Sequence, residues 1–220
     1  MTIMTYKTIL FDLDGTLVDT ASDLGHALNL QLQQYGKSPL PDSVIRPFAS
    51  HGSRGLLNLG FGITPADAQF IQMRDEYLDL YEGVLTRSPR LFDGMQATLE
   101  AIVQKGLSWG IVTNKPSRFT VPLVKSLGLY QDAICVISGD DAPQPKPSPA
   151  TLLLACEKAQ VPANECIYIG DAARDIEAGR AAGMYTAIAM YGYIHTTDKP
   201  QDWGADAFVT TPIDILKLIN

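Results

Sequence analysis

The sequence predicts an α/β fold: a Rossmann-like parallel sheet core with helices on both faces, plus an all-helical cap inserted after strand 1. Three observations predict it. Short apolar runs rich in strand formers recur at residues 8–12, 108–113, 133–138, 166–169 and 186–190. Helix-like stretches separate the later runs, and strand–helix alternation implies right-handed crossovers and parallel strands. Between about residues 20 and 84 that rhythm breaks, and apolar positions follow helical spacing.

Residues 8–12 read Thr-Ile-Leu-Phe-Asp and run into Asp12-x-Asp14-Gly15. That is a buried strand ending in a turn, where Gly15 lets the chain bend sharply. The helical stretch follows, with Leu24, Ala27 and Leu28, then Phe70, Met73, Tyr77, Leu80 and Tyr81 on helical periods. The chain leaves near residues 18–21 and returns near 88–93, so both junctions are expected hinges. The expected domains are a core of residues 1–19 and 86–220 and a cap of residues 20–85. Beyond the insert, one helix should lie between Gly94 and Gly106. A second should start at Pro116, a good first-turn residue, and end at Gly128. Two more should span residues 149–159 and 174–183. Residues 140–149 carry prolines at 143, 145, 147 and 149 and should form a stiff loop.

Composition narrows the function classes. The chain has 220 residues, 46% apolar and 19% charged, which fits an ordered globular protein. No run approaches the ~18–20 apolar residues of a membrane span. Residues 1–7 lack a basic segment followed by an apolar stretch, so the expected compartment is the cytoplasm. Net charge is −7 with no basic face, which argues against nucleic acid. An anionic substrate remains compatible where a metal or a lysine reverses the local field. Cys135, Cys156 and Cys166 form no C-x-x-C pair and read as buried thiols.

In open parallel sheets the active site lies beyond the carboxyl ends of the strands. Those ends carry Asp12, Asp14, Gly15 and Thr16, then Thr113, Asn114 and Lys115. The loop bearing Lys146 comes next, and then Gly170, Asp171 and Asp175. Asp12 and Asp14, two apart, point the same way on an extended chain. Clustered carboxylates repel unless a hard cation joins them, and Mg2+ prefers oxygen ligands and phosphate. Asp12, Asp171 and Asp14, the last through its backbone carbonyl, are the candidate ligands. Asp12 would attack phosphorus, and Asp14 would serve as acid and then base. Thr113, the backbone near Asp14 and Gly15, and Asn114 would hold phosphoryl oxygens. Lys146 would neutralise charge on the transferring group, and Asp175 would orient metal-bound water or the lysine. The amino end of the helix after Pro116 should also face the anion. In the insert, Gly52-Ser53-Arg54-Gly55 offers Ser53 and Arg54 as substrate contacts, Arg54 to a carboxylate.

These motifs, in this order and running from about Lys7 to the C-terminus, resemble the haloacid dehalogenase-like hydrolase superfamily. Within it, residues 112–116 and 168–183 resemble the phosphoglycolate phosphatase family. Residues 191–195, 203–206 and 91–95 look like its branch of N-acetylmuramic acid 6-phosphate phosphatases. The resemblance implies a Mg2+-dependent phosphatase acting on a small phosphate ester, in cell-wall recycling if the branch holds. Monomer and homodimer both stay open. The alternatives are 2-phosphoglycolate as substrate, a phosphosugar mutase, and a non-catalytic phosphate-binding or receiver-type signalling module. A receiver would lack the second Asp of the first motif and would need no cap.

Overall fold

The computed structural model describes residues 6–219; most of the segment read for a secretory signal lies outside them. Strand β1 (Thr8–Phe11) is the hub. It pairs in parallel with β4 (Ser108–Val112) on one side and β6 (Cys166–Gly170) on the other. Beyond β4 lies β5 (Val136–Ile137); beyond β6 lie β7 (Tyr185–Ala189) and β8 (Ala207–Val209). The order is β5-β4-β1-β6-β7-β8, every neighbour parallel.

Helices cover both faces, so β1 is apolar on both sides of its pleat. Ile9 and Phe11 point into one core cluster, and Leu10 into the other. The first cluster includes Met95, Leu99 and Ile102 of α5 (Met95–Gln104) and Phe119 and Leu123 of α6 (Ser117–Ser126). The second includes Leu152 and Ala155 of α7 (Ala150–Ala159) and Ala178 of α8 (Ala173–Ala182).

Four helices lie between β1 and α5: α1 (Ala21–Gln34), α2 (Asp42–Ile45), α3 (Gly52–Phe61) and α4 (Phe70–Glu82). A 3-10 turn, Arg46–His51, joins α2 to α3. The predicted apolar positions are the ones buried: Leu24, Ala27 and Leu28 pack with Phe70, Met73, Tyr77 and Tyr81. Gln31 ties α1 to α4 by donating to the Met73 carbonyl at 2.8 Å. The expected hinges coincide with a two-stranded antiparallel ribbon, β2 (Val18–Asp19) with β3 (Arg90–Leu91).

The sheet corrects the sequence reading at its edges. The strand expected at 133–138 shrinks to Val136–Ile137, because this edge meets only β4 and the chain enters it from a turn. Strands β2, β3 and β8 were not predicted. With two or three residues each, they show no alternation to detect.

Candidate active site

The carboxyl ends of β1, β4 and β6 converge as predicted, because these three strands are neighbours. Asp12 is 3% exposed and follows β1 directly. Its Oδ1 accepts from Lys146 Nζ at 2.9 Å. The same ammonium lies 2.7 Å from Asp175 Oδ1 and also meets the Val112 carbonyl and the Tyr168 hydroxyl. One buried lysine thus bridges two buried carboxylates. Burial raises the Asp12 carboxyl above its ordinary range, with Lys146 pulling the other way. Burial would raise Asp175 too, but Lys146 and Arg174 outweigh it and hold that carboxyl low.

Asp12, Asp171 and Asp175 each place an oxygen within 4.8 Å of the others. Asp171 alone of the three has a buried oxygen without a partner among the described residues. Its Oδ2 accepts from Ser50 Oγ at 2.6 Å and from the Tyr193 amide at 2.8 Å. Its Oδ1 is buried with no hydrogen-bond partner among the described residues. Burial, then repulsion from Asp12 and Asp175, pushes its carboxyl up to about 7. A buried carboxylate oxygen without a donor costs on the order of 1–3 kcal/mol or more, so it calls for a cation. An all-oxygen donor set of this kind suits Mg2+ and not a soft metal. Gly15 is held at φ +85°, and a side chain there would run into the Asp171 carboxylate and the Tyr193 ring. The glycine therefore serves close approach between the first and last motifs as well as the turn.

The Asp14 carboxylate is not in this cluster. It accepts from Lys115 Nζ at 2.9 and 3.0 Å and from Thr20 Oγ1 at 2.5 Å. Any share of Asp14 in a metal site therefore rests on its backbone carbonyl, whereas the carboxylate of Asp175, expected one layer out, lies in the cluster. Thr113 is buried, and its Oγ1 accepts from the Lys115 amide at 3.1 Å. The Asn114 side chain is tied to the Lys146 backbone. It accepts from the Lys146 amide and donates to the Lys146 carbonyl, both at 2.8 Å, and so fixes the proline-rich loop. A phosphate would meet Asn114 through its backbone. At the amino end of α6, Asp140 accepts from the Ser117 amide and hydroxyl. That pairs one amide of this end, while Pro116, Arg118 and Phe119 beside it line the cavity over Asp12.

A cavity of about 670 Å³ opens above Asp12 and Asp14. Its far wall comes from the inserted helices and includes Ser53 and Arg54, as expected, with Leu24, Tyr77 and Tyr81. Three site residues were missed, and a fourth, Lys115, was named at the end of its strand without a settled role. Lys115 is buried, pairs with Asp14 and lies 4.7 Å from the centre of the Tyr81 ring. Ser50 reaches Asp171 from the 3-10 turn, Arg174 lines the cavity, and Tyr193 bonds Asp171. Arg174 and Lys115 were visible inside the motifs; Ser50 and Tyr193 carried no signal beyond the resemblance of residues 191–195.

Residues 9–189 match the family model of the haloacid dehalogenase-like hydrolases. An N-acetylmuramic acid 6-phosphate phosphatase of Pseudomonas putida is 38% identical over 217 residues, covering 99% of this chain and 97% of its own. A phosphoglycolate phosphatase of Xanthomonas campestris pv. campestris is 39% identical over 206 residues, covering 94% and 93%. A crystal structure described as a predicted phosphoglycolate phosphatase from Haemophilus somnus superposes with TM-score 0.83 at 25% identity, covering 98% of each chain. A haloacid dehalogenase-like family protein from Streptococcus pneumoniae shares the fold, with TM-score 0.85 at 20% identity over 99% of this chain and 100% of its own. The chain belongs to the haloacid dehalogenase-like hydrolases. Within them it is a phosphatase, a hydrolase of phosphoric monoesters. No helix among the described residues is long and apolar enough to cross a membrane.

Proposed function

We propose that the protein is a Mg2+-dependent phosphatase that works through an aspartyl-phosphate at Asp12, with N-acetylmuramic acid 6-phosphate as its substrate. One observation carries the chemistry. Asp12 lines the cavity, with Lys146 on one of its oxygens and a carboxylate oxygen of Asp171 within 4.8 Å. Asp12, Asp171 and the Asp14 carbonyl would hold the metal, with Asp175 beside them. When bound, Mg2+ would screen the repulsion between carboxylate and phosphate and polarise the phosphoryl group.

The chain's own residues supply the rest. The Asp12 carboxylate attacks phosphorus, the phosphorus–ester oxygen bond breaks, and Asp14 gives its proton to the departing alkoxide. Water then yields a proton to Asp14 and attacks the phosphoryl group, releasing phosphate and regenerating Asp12. Lys115 now donates to both Asp14 oxygens. Turning that ammonium towards the incoming phosphate frees Asp14 to take a proton from solvent and face the leaving oxygen with it. Thr113 and the backbone at Asp14, Gly15 and Asn114 receive the phosphoryl oxygens, while Lys146 opposes the effect of burial on Asp12 and neutralises charge on the transferring group. Residues 20–85 act as a cap on a core of 1–19 and 86–220. Closing it excludes bulk water, with Ser53 and Arg54 contacting the substrate. The compartment this reading carries is the cytoplasm.

Cavity size supports the amino sugar, since a two-carbon acid would leave most of it unfilled and the apolar wall of Leu24, Tyr77 and Tyr81 uncovered. The 39% identical Xanthomonas relative keeps 2-phosphoglycolate as the second reading. The test is phosphate release from both substrates, with and without Mg2+, using Asp12→Asn as the blank. A preference of ~100-fold or more for the amino sugar, nearly 3 kcal/mol, is expected. The reverse preference overturns the substrate assignment. Equal turnover in the Asp12→Asn blank overturns the mechanism.

A further inference from the structure

Five cationic side chains line the cavity, and three are already engaged. Lys115 pairs with Asp14, Arg74 pairs with Asp75 at 2.8 Å, and Arg174 lies in the field of Asp175, Asp12 and Asp171. Arg54 on α3 and Arg118 on α6 form no ion pair among the described residues. They reach the cavity from two different layers, the inserted helices and the sheet-covering helices. The Arg118 guanidinium rests 4.4 Å from the centre of the Phe119 ring, and Phe119 itself is buried and lines the same cavity. A flat cation stacked on a fixed ring retains its in-plane donors for a ligand and loses little freedom in using them.

The charge balance then points to a second anion. One phosphoryl group at Asp12 has Lys146, Lys115 and Arg174 within its surroundings. Two further guanidiniums in one cavity are surplus to it, in a protein whose net charge is −7. We infer that Arg118, together with Arg54, forms a subsite for a carboxylate that the substrate carries away from its phosphate. The guanidinium fork matches a carboxylate with two parallel hydrogen bonds. This rests on the proposed function and extends it: the lactyl ether of N-acetylmuramic acid supplies such a carboxylate. Because the two arginines come from different layers, the subsite is complete only when both layers face one ligand, so it selects a substrate long enough to span them.

The experiment compares N-acetylmuramic acid 6-phosphate with N-acetylglucosamine 6-phosphate, the same sugar without the lactyl group. Wild type, Arg118→Met, Arg118→Lys and Arg54→Met are measured on both, with kcat and KM separated and folding checked by circular dichroism. The expected result is that Arg118→Met loses at least ~10-fold more kcat/KM on the lactyl sugar than on the other, mostly through KM, with Arg118→Lys between. Equal losses on the two sugars, or none on either, overturn the subsite. If wild type instead prefers 2-phosphoglycolate, the substrate assignment fails but the subsite is still tested. The same variants are then read on 2-phosphoglycolate against ethyl phosphate, where equal losses again overturn it.

Discussion

Lys146→Met is the most informative single perturbation of the site. Methionine approximates the lysine stem, so the change removes mainly charge. The ammonium lies 2.9 Å from Asp12 and 2.7 Å from Asp175, and its side chain is 0% exposed. Coulomb attraction at an effective dielectric of ~20 is about 6 kcal/mol for each contact. Much of this offsets the desolvation of three charged groups, so the net loss on removing one partner is ~3–5 kcal/mol. That is a large share of a total stability of ~5–15 kcal/mol. The sign of the pH dependence follows from the carboxyls. In the wild type Asp175 is held low, so its contribution is present above the ordinary carboxylate range and fades as pH falls through its folded value. Without Lys146, burial raises Asp12 and Asp175 together, and the variant weakens as pH climbs through that range. The gap between the two proteins therefore widens from about pH 4 to neutrality. Urea unfolding in metal-free buffer at both ends of that span measures it. Adding Asp175→Asn to Lys146→Met should recover most of the stability, because the uncompensated charge is what costs, but none of the activity. A loss under ~1 kcal/mol, or a gap that ignores pH, refutes the reasoning.

Two other perturbations separate the roles of the remaining acids. Asp14→Asn should cut turnover by ~10²–10⁴-fold and leave a phosphoryl group on the peptide containing Asp12 after acid quench, read by mass spectrometry; wild-type turnover would rule out Asp14 as acid and base. Asp19→Asn probes the ribbon at the base of the insert. Burial would raise the Asp19 carboxyl, but the Tyr193 hydroxyl and the Arg46 and Arg90 guanidiniums outweigh it and hold it low. Its stability is thus present above the ordinary carboxylate range and lost as pH falls through the folded value. The variant should cost ~1.5–3 kcal/mol at neutral pH, less the part owed to exposed Arg90, with the difference shrinking in acid. A difference that stays constant with pH would show that Asp19 contributes packing and not charge.

What could be read from the sequence divides along the range of the interactions. Strands such as 8–11 and 166–170 announce themselves because both faces are buried and most residues are apolar. Their carboxyl ends carry Asp12 and Asp171, which is why the sequence already brings these two carboxylates to one place. Two-residue strands carry no period, so the ribbon at Asp19 and Arg90 was invisible as structure although its place was read as a hinge. Asn114 was named for its place beside Thr113, but its side chain reaches 32 residues along the chain to hold Lys146, and no local pattern encodes that. Ser50 and Tyr193 fail for the same reason. Each contacts Asp171 from a distant segment, at separations of 121 and 22 residues.

Tyr193 shows why such contacts matter to function and not only to assembly. Its amide donates to Asp171 Oδ2, the oxygen beside the open one. Its hydroxyl donates to Asp19 at 2.8 Å and accepts from the amides of Thr20 and Ala21, where the chain leaves the core for α1. Arg46, from the turn preceding α3, closes the other side, with its guanidinium 2.9 Å from Asp19 and 4.9 Å from the centre of the Tyr193 ring. One residue therefore holds a carboxylate of the proposed metal site with its backbone and the entry to the insert with its side chain. Ser50 makes the reciprocal contact, from the insert to the same Asp171 oxygen. A shift of the inserted helices must stretch bonds to Asp171, and a change in how Asp171 is held must be felt at Thr20. Position of the insert and readiness of the acidic cluster are then two descriptions of one hydrogen-bonded network. Under the proposed mechanism, in which water is excluded before Asp12 attacks, such coupling has a use, because an open site with an assembled cluster would gain nothing from its preorganised charges.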